Sequence, residues 1–240
     1  MRLSFRRASS CAALGALLLL SVAASSVAGA ARAASSDINP SDFVDNVDNP
    51  YMPLVPGTVF RYQGHVDKAP SAITVTVTNQ RKTIEGVSTL VIDDVVSVRG
   101  KDVERTTDYY AQDTGGNVWY FGEDSFDLVR GKWVRSDGSW LAGVDGARPG
   151  IIMEANPKVG DVYQQEFYAG HAEDMAEVLR TNTSVAVPYG SFRHVLLTKE
   201  WTPLEPGVTE QKYYAPGVGN VKTVMVEGGD EAYELVSVTP

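Results

Sequence analysis

The sequence predicts an all-β protein, an antiparallel curved sheet or open barrel built from two meander repeats with little helix. Ser71–Asn79 alternates aliphatic residues with threonines in a period of two, which is typical of a strand with one buried face. Several other apolar, β-branched runs of strand length are separated by turn residues. A weak similarity between the two halves of the chain indicates the repeats.

The first 33 residues have the features of a secretory signal peptide. Three arginines stand among the first seven residues, and Ala12–Ala24 is an apolar stretch too short for a comfortable membrane span. Ala31-Arg32-Ala33 is a small-x-small cleavage site. We therefore expect a secreted or extracytoplasmic protein that begins near Ala34. The pair Arg6-Arg7 leaves open whether export uses the Sec or the twin-arginine route.

Removal of this signal makes the protein more acidic. Four of the 21 basic residues lie in residues 1–33 and none of the 30 acidic ones, so the mature chain has 17 basic and 30 acidic residues and a net charge of −13. An acidic surface repels nucleic acid and anionic lipid, so neither is an expected partner, whereas a cation is compatible. The single cysteine, Cys11, leaves with the signal, which excludes disulfide and thiol chemistry.

Residues 34–50 are polar and are expected to be a flexible lead-in to a single β domain over residues 51–240. Ser88–Val98 and His194–Trp201 are apolar, β-branched runs of strand length. Thr106–Asp124 contains two aromatic strands around an Asp-Thr-Gly-Gly-Asn turn, where glycine supplies the positive φ of a hairpin turn. No second long apolar run follows the signal, so we expect no membrane span.

The two halves of the domain can be aligned at a nearly constant offset. Residues 57–79 lie over residues 160–182 without a gap at an offset of 103. Gly86–Ala111 lies over Gly190–Ala215 at an offset of 104, and Gly-Asn-Val recurs at an offset of 103. The pattern predicts two structural repeats, residues 57–124 and 160–230, joined by a linker over residues 125–156.

Both ends of the domain carry a motif. YMPLVPGTVFRY (Tyr51–Tyr62) and KYYAPGVGNVKTV (Lys212–Val224) resemble the opening and closing signatures of a loose group of exported bacterial β-rich proteins of unassigned function. The signatures are Y-x-P-L-x-x-G-x-x-W/F-x-Y and Y-Y-A-x-G-V-G-x-V. The resemblance implies a curved antiparallel sheet or open barrel in the envelope or outside the cell. It implies no activity, cofactor or catalytic residue.

His171, Glu173 and Asp174 are candidate ligand-binding residues because histidine is scarce and two acids follow it closely. On a helix, His171 and Met175 would share a face and could bind a soft metal. The repeat instead places Met175 at the start of a strand, which makes the cluster the tip of an exposed hairpin. If this turn folds against the linker near Trp140, histidine and carboxylate would face a shared cavity.

Further candidates come from the linker and from the first repeat. Trp140 could be a stacking surface for a sugar or other ring on a lid over a cavity, but an edge hairpin with a loop that plugs one barrel end also explains the linker. Asp113, Glu123 and Asp124 are candidate carboxylate ligands for a divalent cation. If Glu123 and Asp124 lie in a strand, their side chains point to opposite faces.

The leading hypothesis is an exported acidic β-protein, noncatalytic, that binds a small ligand or divalent cation at its loop-rich end. The alternatives are a carboxylate-dependent hydrolase or lyase acting on an extracellular polymer, and a structural envelope protein. The enzyme hypothesis predicts two carboxylates within a few ångströms and a strongly raised pKa. The sequence contains no nucleophile elbow and no zinc-type histidine spacing. The oligomeric state and the identity of the ligand stay open.

Overall fold

A computed structural model describes residues 38–240, which form one antiparallel sheet that is nearly closed into a barrel. The predicted all-β fold class is therefore confirmed. The predicted signal peptide and the first residues of the lead-in lie outside the described residues. Within residues 38–240 the sole helical element is a short 3-10 turn, Pro40–Asp42, and no helix is long and apolar enough to cross a membrane.

The first half of the chain forms a meander. Its strands are β1 (Phe43–Val44), β2 (Val59–Val66), β3 (Ala69–Ile84), β4 (Val87–Val98), β5 (Lys101–Asp113) and β6 (Val118–Val129). Strands β2 to β6 pair in chain order, and β1 pairs with β5. The linker adds three strands that all pair with β6: β7 (Lys132–Arg135), β8 (Trp140–Leu141) and β9 (Arg148–Met153).

The second half repeats this order. Its strands are β10 (Val162–Gln164), β11 (Glu166–Phe167), β12 (Met175–Val187), β13 (Gly190–Trp201), β14 (Thr209–Ala215), β15 (Gly219–Glu227) and β16 (Ala232–Thr239). The neighbours run β10-β12-β13-β14-β15, as they run β2-β3-β4-β5-β6 in the first half, and β16 joins β15 to β2. The two meander repeats are confirmed, and Met175–Asn182 is strand rather than helix.

Matching β-bulges relate the two halves residue by residue. The β5–β6 register shifts between Tyr109 and Tyr110, and the β14–β15 register shifts between Tyr213 and Tyr214. The β3–β4 register is regular up to the pair Val77–Ile92, and the β12–β13 register up to the pair Val178–Thr198.

When the two halves are aligned on these bulges, three buried positions correspond: Asp94 to Glu200, Asp108 to Lys212, and Glu123 to Thr223. The cross-strand pairs agree, because Ile92 pairs with Asp108 where Thr198 pairs with Lys212.

The bulges also correct the sequence alignment. Seven residues separate the paired Ala111 and Trp119, whereas three separate the paired Ala215 and Gly219. The second hairpin is thus four residues shorter, and β6 and β15 are related by an offset of 100 rather than 103. The recurring Gly-Asn-Val is not structurally equivalent. The low sequence identity between the two halves did not reveal this difference in turn length. A hairpin turn can change its length without disturbing the paired strands that it joins.

Residues 47–54 cross one end of the barrel and form a plug. Val47, Met52 and Leu54 are buried there. The side-chain amide of Asn49 donates to the carbonyl oxygens of Gly116 and Glu154, at 2.9 and 3.1 Å, and so ties the plug to two turns. Residues 47–50, within the predicted flexible lead-in, are therefore fixed to the barrel.

Residues 162–167 close the barrel. Tyr163 in β10 pairs with Ala176 in β12 at one end of the sheet, and Glu166 in β11 pairs with Pro149 in β9 at the other. One extended segment thus bridges the two ends, with Gln165 between the two short strands. The side chain of Tyr163 and that of Glu166 are buried at this seam.

Gly150 in β9 allows this close approach, so G150A is expected to lower the free energy of unfolding by about 1–3 kcal/mol. A Cβ at Gly150 would lie 2.5 Å from both the carbonyl oxygen of Gln164 and the carbonyl carbon of Gln165, where backbone cannot move aside. Urea denaturation measures the loss. G190A is the control, because its Cβ would meet only the Phe192 ring at 3.6 Å. Equal destabilisation by both variants would contradict a special role for the seam.

Candidate functional site

The barrel interior changes from apolar to polar with distance from the plug. Along β5 the inner residues follow one another as Gln112, Tyr110, Asp108, Thr106 and Glu104, and all are buried. Gln112 accepts hydrogen bonds from the plug backbone, so this order runs away from the plug. The strand therefore brings an aromatic layer next to the plug and carboxylates beyond it.

Acidic side chains dominate the buried charged residues within 38–240. Lys212 is the one basic side chain that is buried in this part of the chain. Eight acidic side chains are buried: Asp94, Glu104, Asp108, Glu123, Glu166, Glu200, Glu210 and Glu231. Burial of these acids is costly, because each must either lose the hydration of its charge or bind a proton at a pH at which it would be ionised in water.

In the first half, one phenol holds two of these carboxyl groups. The hydroxyl of Tyr120 lies 2.5 Å from Oδ1 of Asp108 and 2.8 Å from Oε2 of Glu123. Because the phenol carries one proton, both contacts are full hydrogen bonds only when one carboxyl group is itself protonated. Burial and the charges of Asp108 and Glu123 raise the pKa of Tyr120, so the phenol stays a donor.

Aromatic rings fix this phenol from two sides. The ring of Tyr110 stacks on that of Tyr120 with the centroids 4.8 Å apart, and Trp140 contacts it edge-on at 5.4 Å. The indole N–H of Trp140 donates to Oε2 of Glu166 at 2.7 Å. Carboxylates and aromatic rings therefore form one packed cluster.

Asp94 lies beside this cluster on β4 and is buried to 5% exposure. Its Oδ1 atom has no hydrogen-bond partner among the described residues. Burial and the neighbouring carboxylates of Asp108 and Glu123 raise the pKa of Asp94 well above its usual range. A positive group placed here would satisfy this oxygen.

The corresponding place in the second half contains its own positive charge. Nζ of Lys212 lies 2.6 Å from Oε2 of Glu200 and 3.7 Å from Oε2 of Glu210. Thr198 and Tyr214 donate to the other oxygen of Glu200, at 2.8 and 3.0 Å.

Both pKa values agree with a stable ion pair. Although burial acts in the opposite direction, the lysine holds the pKa of Glu200 below its usual range, and the carboxylates raise the pKa of Lys212. The second half thus shows how this barrel accommodates a buried ammonium group.

Two of the sequence-predicted site residues lie in the interior cluster. Glu123 faces inward in β6, next to Tyr120. Trp140 was predicted as a stacking surface on a lid, but its side chain is buried to 2% exposure and packs against Tyr120. The correction follows from β8, which pairs with β6 and carries the indole into the barrel.

Two other predicted residues lie outside this cluster. Asp113 accepts hydrogen bonds from Asn117 and from the indole of Trp119, and so fixes the turn after β5. Asp124 accepts hydrogen bonds from Tyr109 at 2.9 Å and from Arg135 at 3.0 Å. Burial acts to raise its pKa, but these two donors lower the pKa of Asp124. Glu123 and Asp124 thus make separate contacts, as their adjacent positions in a strand predict.

The hairpin tip does fold against the linker. Nδ1 of His171 lies 3.2 Å from the carbonyl oxygen of Asp137, and the imidazole stacks on Tyr168 at 4.4 Å. This contact joins the hairpin tip to the backbone of the linker. Glu173 accepts a hydrogen bond from the backbone N–H of Gly170 and closes its own turn. Asp174 is half-buried, and its charge contributes to the raised pKa of Lys212.

Asp94 and Lys212 were missed as site residues. Asp94 stands in the same strand phase as Leu90, Ile92 and Val96, so the period-two pattern contains the signal for an inward carboxylate. Lys212 belongs to the closing motif, whose resemblance implied no functional residue. Among residues 38–240, no group of three or more histidine, cysteine, aspartate or glutamate side chains is arranged to hold a metal ion.

A cavity of about 40 Å³ lies between the plug and the carboxylates. This volume exceeds the roughly 10–15 Å³ that one water molecule needs. Met52, Leu54, Phe60 and Val75 form its apolar side, and Asp108 contributes a carboxylate. A second, polar cleft of about 470 Å³ lies on the surface near Asn117 and Asp161.

No protein-family model matches the chain, and a search of curated proteins finds no match. Two solved structures are similar to it. A protein of Bacteroides fragilis described as exported, with a YmcC-like fold, is 15% identical, with a TM-score of 0.48 over 79% of this chain and 99% of that chain. A protein of Parabacteroides distasonis described as a lipoprotein is 14% identical, with a TM-score of 0.44 over 80% of this chain and 99% of that chain.

Proposed function

We propose that this chain is an exported, noncatalytic β-barrel protein that binds a small ligand or cation inside its barrel. The observation that carries the proposal is the buried excess of eight acidic side chains over one lysine. Apolar residues of similar volume would fill a purely structural barrel at equal or greater stability. Groups that reduce stability without an evident structural gain are typical of functional sites. A bound positive charge would recover that energy.

The proposed site is the polar part of the interior, between the cavity at the plug and the far end of the barrel. Asp94, Asp108 and Glu123 are the carboxyl groups that a bound cation would ionise, and Tyr120 holds two of these groups in place. The N-terminal signal features support a protein that meets its ligand outside the cytoplasm.

A thermal-shift screen of small cations, anions and neutral molecules tests this function on the secreted protein. A cation at a hundred times its Kd is expected to raise the Tm by roughly 5–10 °C, since such binding stabilises a fold by about 2.7 kcal/mol. Trp140 fluorescence should change in parallel, because its indole bonds to Glu166 inside the barrel.

The matched variants locate the binding. D108N/E123Q keeps the size of both side chains but removes their charges, and it is expected to lose the cation-induced rise in Tm. D93N/E227Q removes two exposed acids and should respond as the wild type does. If both variants lose the response, or neither does, the cations bind elsewhere and the proposal is overturned.

A second candidate is a carboxylate-dependent hydrolase or lyase, which the two carboxyl groups on Tyr120 favour. Paired carboxylates of unlike pKa perform acid and base chemistry in such enzymes. A polymer would have to reach them past the rim, since the plug closes one end of the barrel. Release of reducing ends from soluble polysaccharides, lost in D108N, would establish this function in place of binding.

A further inference from the structure

We propose that the ligand presents a primary alkyl ammonium group, which binds next to Asp94 and Asp108 in the place that Lys212 occupies in the second repeat. This inference rests on the proposed binding function and names its ligand class. It comes from the internal equivalence of the two repeats together with the cavity that Asp108 lines at the plug.

The second repeat supplies the template. The matching β-bulges and the strand register both make Lys212 equivalent to Asp108, and Glu200 equivalent to Asp94. In the second repeat the ammonium of Lys212 lies 2.6 Å from Glu200. In the first repeat the residue equivalent to Glu200, Asp94, has an oxygen without a hydrogen-bond partner among residues 38–240. An ammonium group from outside would give this oxygen the contact that Glu200 already has.

The first repeat also has room for such a group. Aspartate is two side-chain heavy-atom positions shorter in reach than lysine, and Asp108 lines the cavity of about 40 Å³. The rest of the lining includes Met52, Leu54 and Phe60, which offer apolar contact to a short alkyl chain. A carboxylate at one side and aliphatic residues at the other are complementary to an alkyl ammonium ion.

A divalent cation fits this lining less well. Calcium takes six to eight oxygen ligands, and magnesium requires a nearly octahedral set. Most residues around the cavity supply carbon atoms instead. An ammonium group needs only about three acceptors, since it has three N–H donors.

The test titrates n-butylamine, n-butanol and calcium chloride into the secreted protein at pH 7, with calorimetry and Tm as readouts. Butylamine is expected to bind at least ten times more tightly than butanol, which has the same chain without the charge. D94N is expected to weaken butylamine at least tenfold. D93N, which changes the exposed neighbour on the same strand, should leave the affinity unchanged.

D108K gives an independent test, because it places the lysine of the second repeat into the first. This variant is expected to raise the Tm of the unliganded protein and to abolish butylamine binding. D108N is the milder substitute if D108K does not fold, and it should lose binding without the rise in Tm.

The possible failures separate the two proposals. Equal affinity for butanol and butylamine, or unchanged butylamine affinity in D94N, overturns the ammonium site. Calcium binding that D108N/E123Q abolishes, without butylamine binding, would keep the interior binding function and overturn only the ammonium class. If none of the three probes binds inside the barrel, both proposals are overturned.

Discussion

Replacing Lys212 with methionine is expected to lower the free energy of unfolding by about 3–5 kcal/mol. Methionine fills similar space, so the loss is electrostatic rather than a cavity effect. The substitution leaves Glu200 and Glu210 buried together without the ammonium that lies 2.6 and 3.7 Å from them. Breaking a buried ion pair by removing one partner strands an uncompensated charge, which costs more than the pair contributed. Urea denaturation at pH 7 measures the change.

Lys222 provides the matched control. Its Nζ atom also lies 2.6 Å from a glutamate oxygen, that of Glu234, but both side chains are partly exposed. K222M should therefore cost less than about 1 kcal/mol. K212M/E200Q should recover part of the loss, because the amide removes the stranded charge. Similar effects of K212M and K222M would show that burial does not govern the strength of these ion pairs.

Much of the fold could be predicted because strand patterns are local. The period-two alternation of Ser71–Asn79 lies within β3, and the aromatic hairpin at residues 106–124 joins β5 to β6. Closure of the barrel at residues 162–167 could not be predicted in the same way. Strands of two and three residues contain too few positions to show a period, and each of them pairs with a strand that is not its neighbour in the sequence.

The site was predicted less completely, for a different physical reason. Glu123 was identified, but Asp94 was not, although both belong to regular strands. Carboxylates are rarely buried, so an acid in an apolar strand is ordinarily assigned to the surface. The role of Trp140 depends on Glu166, 26 residues away, and such a contact exists only after the sheet has closed. The contacts inside a barrel therefore depend on its tertiary structure and do not follow from local sequence patterns.

The stability of the unliganded protein is expected to fall by a few kcal/mol between pH 5 and pH 8.5, and E231Q is expected to reduce that dependence. Burial, followed by the charge of Glu210, raises the pKa of Glu231 from 4.5 to about 8. One oxygen of its buried carboxyl group has no hydrogen-bond partner among the described residues, which favours the neutral acid. Each pKa unit corresponds to about 1.4 kcal/mol between the two protonation states.

Stability falls as the pH rises because the Glu231 carboxyl group ionises at a lower pH in the unfolded chain than in the folded chain. Below pH 4.5 the carboxyl group is protonated in both the folded and the unfolded chain, so its contribution to stability is fully present. As the pH rises from 4.5 towards 8, the unfolded chain ionises while the folded chain stays neutral, and stability is lost. Burial also raises the pKa of Asp94 and that of Glu104, which act in the same direction. The lowered pKa of Glu200 opposes them only below about pH 4.5.

Urea denaturation of the wild type, E231Q and E227Q at several pH values measures how the free energy of unfolding depends on pH. E231Q should match the wild type near pH 5 and be more stable near pH 8.5, because glutamine stays neutral at both. E227Q changes an exposed glutamate near the same turn and should follow the wild type throughout. A wild-type stability that rises with pH over this range would mean that the buried acids are ionised in the folded barrel. Their charge would then be balanced within the protein, and the electrostatic argument for a positively charged ligand would fail with it.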